Sequence, residues 1–316
     1  MNRTFSASGE YKNIVSLSDL NHAVHTDPKG FVSMCESVYT QEILLTADRI
    51  IDNISRSRIV MLAGPSGSGK TTSAQRIRAC LEKRGIRANA IEMDRFFLDV
   101  DREDKTLDYE APERIDIPLM IEQMEKLARG EEVWLPQFDF VTGKQYKNVT
   151  HMQLHKDEIA IFEGIHALND IFRKSKAEPF DLYVSPRLRI TDENDKILIR
   201  PDEMRFLRRG IRDMKYRGAD FNRTLELWGN VMTGVEKYIM PFRKYADKMI
   251  DTSFAYEVNL LAPFALPCLA QVDEETMLHH NMASLAERLC RFEPIDPCIV
   301  PADSMLREFI GQVDEK

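Results

Sequence analysis

No apolar run in the 316 residues approaches the ~20 that a membrane-spanning helix requires. Residues 1–19 are polar and mixed, so the apolar stretch of a secretory leader is missing too. The five cysteines (Cys35, Cys80, Cys268, Cys290, Cys298) are widely spaced and include no Cys-x-x-Cys pair, which argues against a disulfide framework and a zinc site. His151 and His155 lie four apart without a third ligand, and His22, His25, His166, His279 and His280 add no metal constellation. A basic excess is lacking as well: 43 Lys and Arg stand against 51 Asp and Glu, a net charge of −8. That balance excludes a general nucleic-acid coat, whose affinity rests on cations. The expectation is a cytoplasmic protein that binds neither nucleic acid nor membrane.

What is present is a globular composition, 43% hydrophobic and 30% charged. At this length roughly 75% of the unfolded surface can be buried, enough for a core without staples. The first 55 residues are polar and then amphipathic over 40–54, where Ile43, Leu44, Ala47, Ile50, Ile51 and Ile54 recur at helical spacing. From Ile59 the pattern becomes short apolar runs alternating with helical periods, the signature of βαβ units around a mainly parallel sheet. Strands are expected at 59–63, 88–93, 159–162, 182–184 and 248–250, and helices starting near Gly69, Ile117, Asp202, Asn222 and Tyr256. The polar stretch 131–155, with Thr142 and Gly143 inside it, reads as a hairpin inserted beside the sheet. Helices are expected over 274–289 and 305–310. The predicted organisation is an N-terminal, partly helical extension (1–55), an α/β core (56–260) and a C-terminal helical extension (261–316).

Gly64, Pro65, Ser66, Gly67, Ser68, Gly69, Lys70 and Thr71 fit G-x-x-x-x-G-K-[ST], with Thr72 following. The apolar strand before it and the helix after it supply the required context. Glycines let backbone N–H groups turn toward an anion, and the helix N-terminus adds its dipole. Lys70 would reach the β/γ-phosphates, and the Thr71 hydroxyl would join a Mg²⁺ shell. A guanine-reading Asn-Lys-x-Asp segment is missing, since no Asn is followed by Lys. A small-molecule kinase remains, which needs an acceptor pocket, a metal carboxylate and cations around the transferring phosphoryl.

Asp94 ends the second strand, and ligands of a parallel sheet gather at carboxyl strand ends. There it can take the proton of an attacking hydroxyl or join the metal shell; a helix N-cap is the plainer alternative. Glu163, after the apolar run 159–162, has the form of a strand-end magnesium carboxylate. Arg205, Arg208, Arg209 and Arg212 fall within one sector of a helical wheel, opposite Leu207, Ile211 and Met214. With few acids on that sector, it reads as a lid face closing cations over phosphates, ended by Arg217 and Gly218. Phe96 and Phe97 either stack on a base or pack.

In order, these motifs resemble the uridine kinase and phosphoribulokinase family of P-loop kinases. The resemblance runs over roughly residues 56–255: the phosphate loop; Met93, Asp94, Arg95, Phe96, Phe97; Asp108, Tyr109, Glu110, Ala111, Pro112 and Asp116; Leu135 to Phe140; Phe162 to Leu168; Arg205 to Arg217; and Pro241 to Asp247. It is similar in particular to bacterial nucleoside kinases whose longer members carry an N-terminal TGS-type region, including Leu306, Arg307, Glu308, Phe309, Ile310 and Gly311 in the tail. The resemblance implies a P-loop three-layer α/β/α fold with a hairpin and a helical lid. It also implies γ-phosphoryl transfer from ATP or GTP to a nucleoside 5′-hydroxyl with Mg²⁺. Asp94, Lys70, Arg209 and Arg212 would be catalytic. Gly64 through Thr72 and Arg217 would hold the nucleotide, while Thr71, Glu163 and Asp94 would meet the metal. Asp94, Phe97, Glu110, Phe138 and Arg209 would bind the acceptor, with Glu110 where the family has an Asp on the ribose hydroxyls. The partners implied are a nucleoside and a nucleotide; a homo-oligomer stays open. The chain departs from the family at Phe138 and Gly143, which replace a Tyr and a His that contact the pyrimidine. Losing both removes hydrogen bonds that select a base. A sugar- or pantothenate-like acceptor, or a catalytically silent nucleotide-binding regulator, are the alternatives.

Overall fold

The computed structural model describes residues 3–5, 11–100, 108, 110–280 and 282–312. The chain opens with strands β1 (Arg3–Phe5) and β2 (Tyr11–Ser16), then helices α1 (Leu17–Thr26) and α2 (Pro28–Asn53). Helix α2 starts well before the amphipathic stretch 40–54 found by periodicity. Asp27 caps it by accepting from the Gly30 amide at 2.9 Å, and Pro28 occupies the first turn, where a missing N–H costs nothing. Its buried row Phe31, Cys35, Tyr39, Ile43, Ala47 and Ile50 was diluted in the sequence by intervening serines and Gly30.

The central sheet follows: β3 (Ile59–Ala63), α3 (Lys70–Glu82), β4 (Arg87–Glu92), α4 (Ile117–Ala128), the hairpin β5 (Val133–Asp139) and β6 (Lys144–Met152), and β7 (Glu158–Gly164). Then come α5 (Asp170–Arg173), β8 (Phe180–Ser185), β9 (Arg189–Thr191), β10 (Ile197–Ile199), α6 (Pro201–Tyr216), α7 (Phe221–Gly234) and β11 (Lys248–Asp251). The tail holds α8 (Glu257–Leu269), α9 (Glu274–His279), α10 (Met282–Leu289) and α11 (Arg307–Ile310). The helices expected over 274–289 are α9 and α10.

Five strands pair in the order β11-β8-β3-β7-β4, every pairing parallel. Strands β3 and β7 are buried along their whole length, as central parallel strands covered on both faces must be. Alternate residues serve opposite layers. Val60, Leu62, Ile159 and Ile161 pack with α2, α3, α6 and α8, whereas Ile59, Met61, Ala160 and Phe162 pack with α4 and the hairpin. The result is a three-layer α/β/α arrangement. A small second sheet, β1-β2-β9-β10, joins residues before the kinase-like core to residues within it. One apolar cluster runs from Leu17 to Ile310, across the joins at 55 and 260.

Candidate active site

The carboxyl ends of β3, β4 and β7 converge on the phosphate loop. Gly69 is the N-cap of α3 at φ +81°, a left-handed conformation that only glycine adopts cheaply. Lys70 Nζ folds back to the Pro65 carbonyl at 3.3 Å. The Thr71 hydroxyl donates to Glu163 Oε1 at 2.8 Å, joining the first turn of α3 to the end of β7. Asp94 stands in a 3-10 turn directly after β4. Burial lowers the Lys70 ammonium from its ordinary value, opposed mainly by the carboxylates of Glu163 and Asp94. Burial likewise raises Asp94 and Glu163, each opposed first by Lys70. Glu110 is raised by burial, against the pull of Arg209 and Lys70. Lys70, Asp94, Glu110, Glu163, Arg209 and Arg212 therefore share one electrostatic site, as their spacing along the chain gave no way to measure.

Three of the lid-helix arginines grip the phosphate loop instead of facing solvent. Arg205 Nε donates to the Ser66 carbonyl (3.1 Å), Arg208 Nη1 to the Gly67 carbonyl (3.2 Å) and Arg209 Nη1 to Ser66 Oγ (3.1 Å). The open cationic face expected at Arg205 and Arg208 is corrected on this point: both are buried, and Arg208 pairs with Glu257 from α8. Nor is the face short of acids. Asp213 takes ion pairs from Arg209 (3.3 Å), Arg212 (3.0 Å) and Arg217 (3.5 Å). Met214, expected on the apolar seam, is exposed. Arg217 is exposed at the end of α6, where Gly218 stops the helix at φ +65°.

Beside the hairpin turn, Phe97, Phe138 and Phe140 form an edge-to-face trio with centroids 5.1–6.2 Å apart. Phe138 is buried in it, and Phe96 is buried in the core. Gly143 sits at φ +70° in the hairpin turn, so a histidine there would be strained. Tyr109 lies outside the described residues. Sequence reasoning left out several neighbours of the site. Asp213 was legible, four residues after Arg209. Thr252 and Glu257 were not, being brought in by β11 and α8. His166 is buried, with Tyr238 edge-on at 6.1 Å. Burial pushes it down to about 4.

Among the described residues no three His, Cys, Asp or Glu side chains form a metal cage. The Thr71 hydroxyl beside a buried Glu163 carboxylate nevertheless fits Mg²⁺, a hard cation usually held by one or two carboxylates plus substrate phosphates.

The raised carboxylates predict a pH behaviour. A carboxyl raised by burial keeps its proton to higher pH, so its ionised form appears only above the raised value. We expect the acid limb of kcat/KM to have its midpoint above the ordinary Asp value of about 3.9. His166, neutral above about 4, adds no limb near 6.5. A limb at or below the ordinary carboxylate range would contradict this.

The sequence model of the phosphoribulokinase / uridine kinase family matches residues 59–258. A uridine kinase of Lactobacillus helveticus is 28% identical over 206 residues, covering 64% of this chain and 89% of the relative. A uridine kinase of Staphylococcus haemolyticus is 30% identical over 203 residues, covering 62% and 88%. A solved structure described as a "possible uridine kinase" from Bacillus stearothermophilus shares 19% identity at a TM-score of 0.43, covering 67% of this chain and 98% of that one. The phosphate loop, the strand-end carboxylates and this match over most of the chain lead to one conclusion: the chain belongs to the phosphoribulokinase / uridine kinase family and is a phosphotransferase acting on a hydroxyl group.

Proposed function

We propose that this chain phosphorylates the 5′-hydroxyl of a nucleoside, taking the γ-phosphoryl of ATP or GTP. The observation that carries the reading is the gathering of two half-buried carboxylates, Asp94 and Glu110, in the field of Lys70 of the phosphate loop. Asp94 takes the proton of the acceptor hydroxyl as its oxygen bonds to the γ-phosphorus. The bond to the β–γ bridging oxygen breaks and the diphosphate leaves. Glu110 accepts from the acceptor's neighbouring hydroxyls. Lys70, Arg209 and Arg212 offset the charge on the transferring oxygens, which is the main catalytic device in phosphoryl transfer. Mg²⁺, held by Thr71 and Glu163, supplies charge neutralisation across the donor phosphates when bound. The names of the uridine kinases matched above support a nucleoside acceptor.

The base is read loosely. Phe138 offers no hydrogen bond, and Gly143 carries no side chain. An apolar pocket discriminates weakly where a hydrogen-bonding one discriminates strongly. We expect transfer from labelled MgATP to purine and pyrimidine ribonucleosides with rates within about 100-fold of one another. The test is a panel of ribo- and deoxyribonucleosides with pantothenate and ribulose 5-phosphate, run with ATP and GTP. Transfer only to a non-nucleoside would replace the acceptor. Silence with nucleotide still bound would point to a regulator.

A further inference from the structure

Residues 301–311, beyond the segment matched to the family, run across the phosphate loop. Met305 packs its sulfur directly over Gly69. Glu308 Oε2 accepts from the Thr72 hydroxyl at 2.6 Å, and Arg212 Nη1 stands 3.8 Å from its other oxygen. The same carboxylate acts on Lys70 and Arg217. An acidic side chain thus sits among the cations and on the helix turn where donor phosphates must lie.

The segment holding it is firmly fixed. The Arg307 guanidinium donates to the carbonyls of Pro301, Pro297, Val300 and Gly311. Lys215 of α6 donates to the Ile310 carbonyl. Ser304 and Tyr256 both donate to Glu36 of α2. Met305, Leu306, Phe309 and Ile310 are buried. Such a segment presents Glu308, whose side chain is one quarter exposed, from a fixed wall.

We propose that the segment 301–311 is a wall of the donor-nucleotide site and that Glu308 is a determinant of donor affinity, holding on Thr72 the place that a donor phosphate takes. Without nucleotide, the carboxylate neutralises cations crowded around the loop. A phosphate entering there must displace one anion with another, and the two repel. The donor therefore binds more weakly than the cationic loop alone would allow. This concerns the donor side, so it does not depend on which hydroxyl compound accepts the phosphoryl.

The test is equilibrium binding of MgATP and of magnesium tripolyphosphate to the full chain, without acceptor. Glu308→Gln keeps size and hydrogen bonding but removes the charge; both dissociation constants should fall by about tenfold, the size of one charge-assisted contact. Glu308→Asp keeps the charge but draws it back from Thr72, and should fall between wild type and Gln. Adenosine, which carries no phosphate, should bind all three alike. Unchanged or weaker MgATP binding in Glu308→Gln, with an unchanged melting temperature, would overturn the proposal. So would a gain for adenosine equal to that for tripolyphosphate.

Discussion

Asp94→Asn should lower turnover by about 10³-fold, the midpoint of what a positioned general base contributes. Its affinity for MgATP should stay the same or tighten. The substitution keeps size and shape but removes the group that takes the acceptor's proton. It also removes a half-buried negative charge whose strongest opposing neighbour is Lys70. Lys70 is then left freer for phosphate, which is why binding should not suffer. The pH profile separates this role from a structural one. In the wild type the acid limb belongs to a carboxyl that burial holds above its ordinary value. In Asp94→Asn the residual activity should lose the part of that limb that belongs to Asp94, leaving only the titration of Glu110 and Glu163. Turnover within tenfold of wild type would pass the role to Glu110, which burial raises in the same way and which lies close enough to feel Asp94. Single-turnover transfer with saturating MgATP isolates the chemical step from product release.

Much of the site could be read from the chain because its chemistry is local in sequence. The phosphate loop, Asp94 after β4 and Glu163 at the end of β7 each sit where a strand-end pattern says a ligand gathers, and the five parallel strands followed from apolar runs bounded by polar turns. The arginines show where such reading stops. A helical wheel gives directions but not what lies in each direction. Arg205 and Arg208 share a sector with Arg209 and Arg212, yet the phosphate loop, Thr252 and Glu257 fill the space in front of them. Those partners come from far along the chain, and no local period encodes them. The same holds for Glu308, which meets Thr72 across 236 positions. The start of α2 was obscure for another reason. Its apolar residues are right, but its first half carries Gly30, Ser33 and Ser37, whose weak helix propensity is overridden by the Asp27 cap and by packing.

Arg208 should be the residue whose loss costs the fold most. It has no exposed surface, and its guanidinium donates to both Glu257 oxygens, to the Gly67 carbonyl at 3.2 Å and to the Thr252 carbonyl at 2.7 Å. The Phe309 ring lies 5.4 Å from its Cζ. One side chain thus ties the phosphate loop, the turn after β11, α8 and the C-terminal segment together. Arg208→Met leaves the Glu257 carboxylate buried without a cation, and removing one partner of such a pair costs about 3–5 kcal/mol. At about 2–4 °C per kcal/mol for a chain somewhat smaller than this one, the melting temperature should drop by roughly 6–20 °C. Arg208→Lys should recover little, because a point-like ammonium cannot serve four acceptors held in a planar fork. The double variant Arg208→Met with Glu257→Met removes the orphaned charge as well, so most of the stability should return. Nucleotide affinity should not return with it, since the Gly67 carbonyl still lacks its donor and the loop is held less firmly. Denaturant midpoints and MgATP dissociation constants measured on the same three variants separate the two effects. An unfolding free energy for Arg208→Met within about 1 kcal/mol of wild type, well under the cost of an unpaired buried charge, would mean that Glu257 finds another cation or takes up a proton.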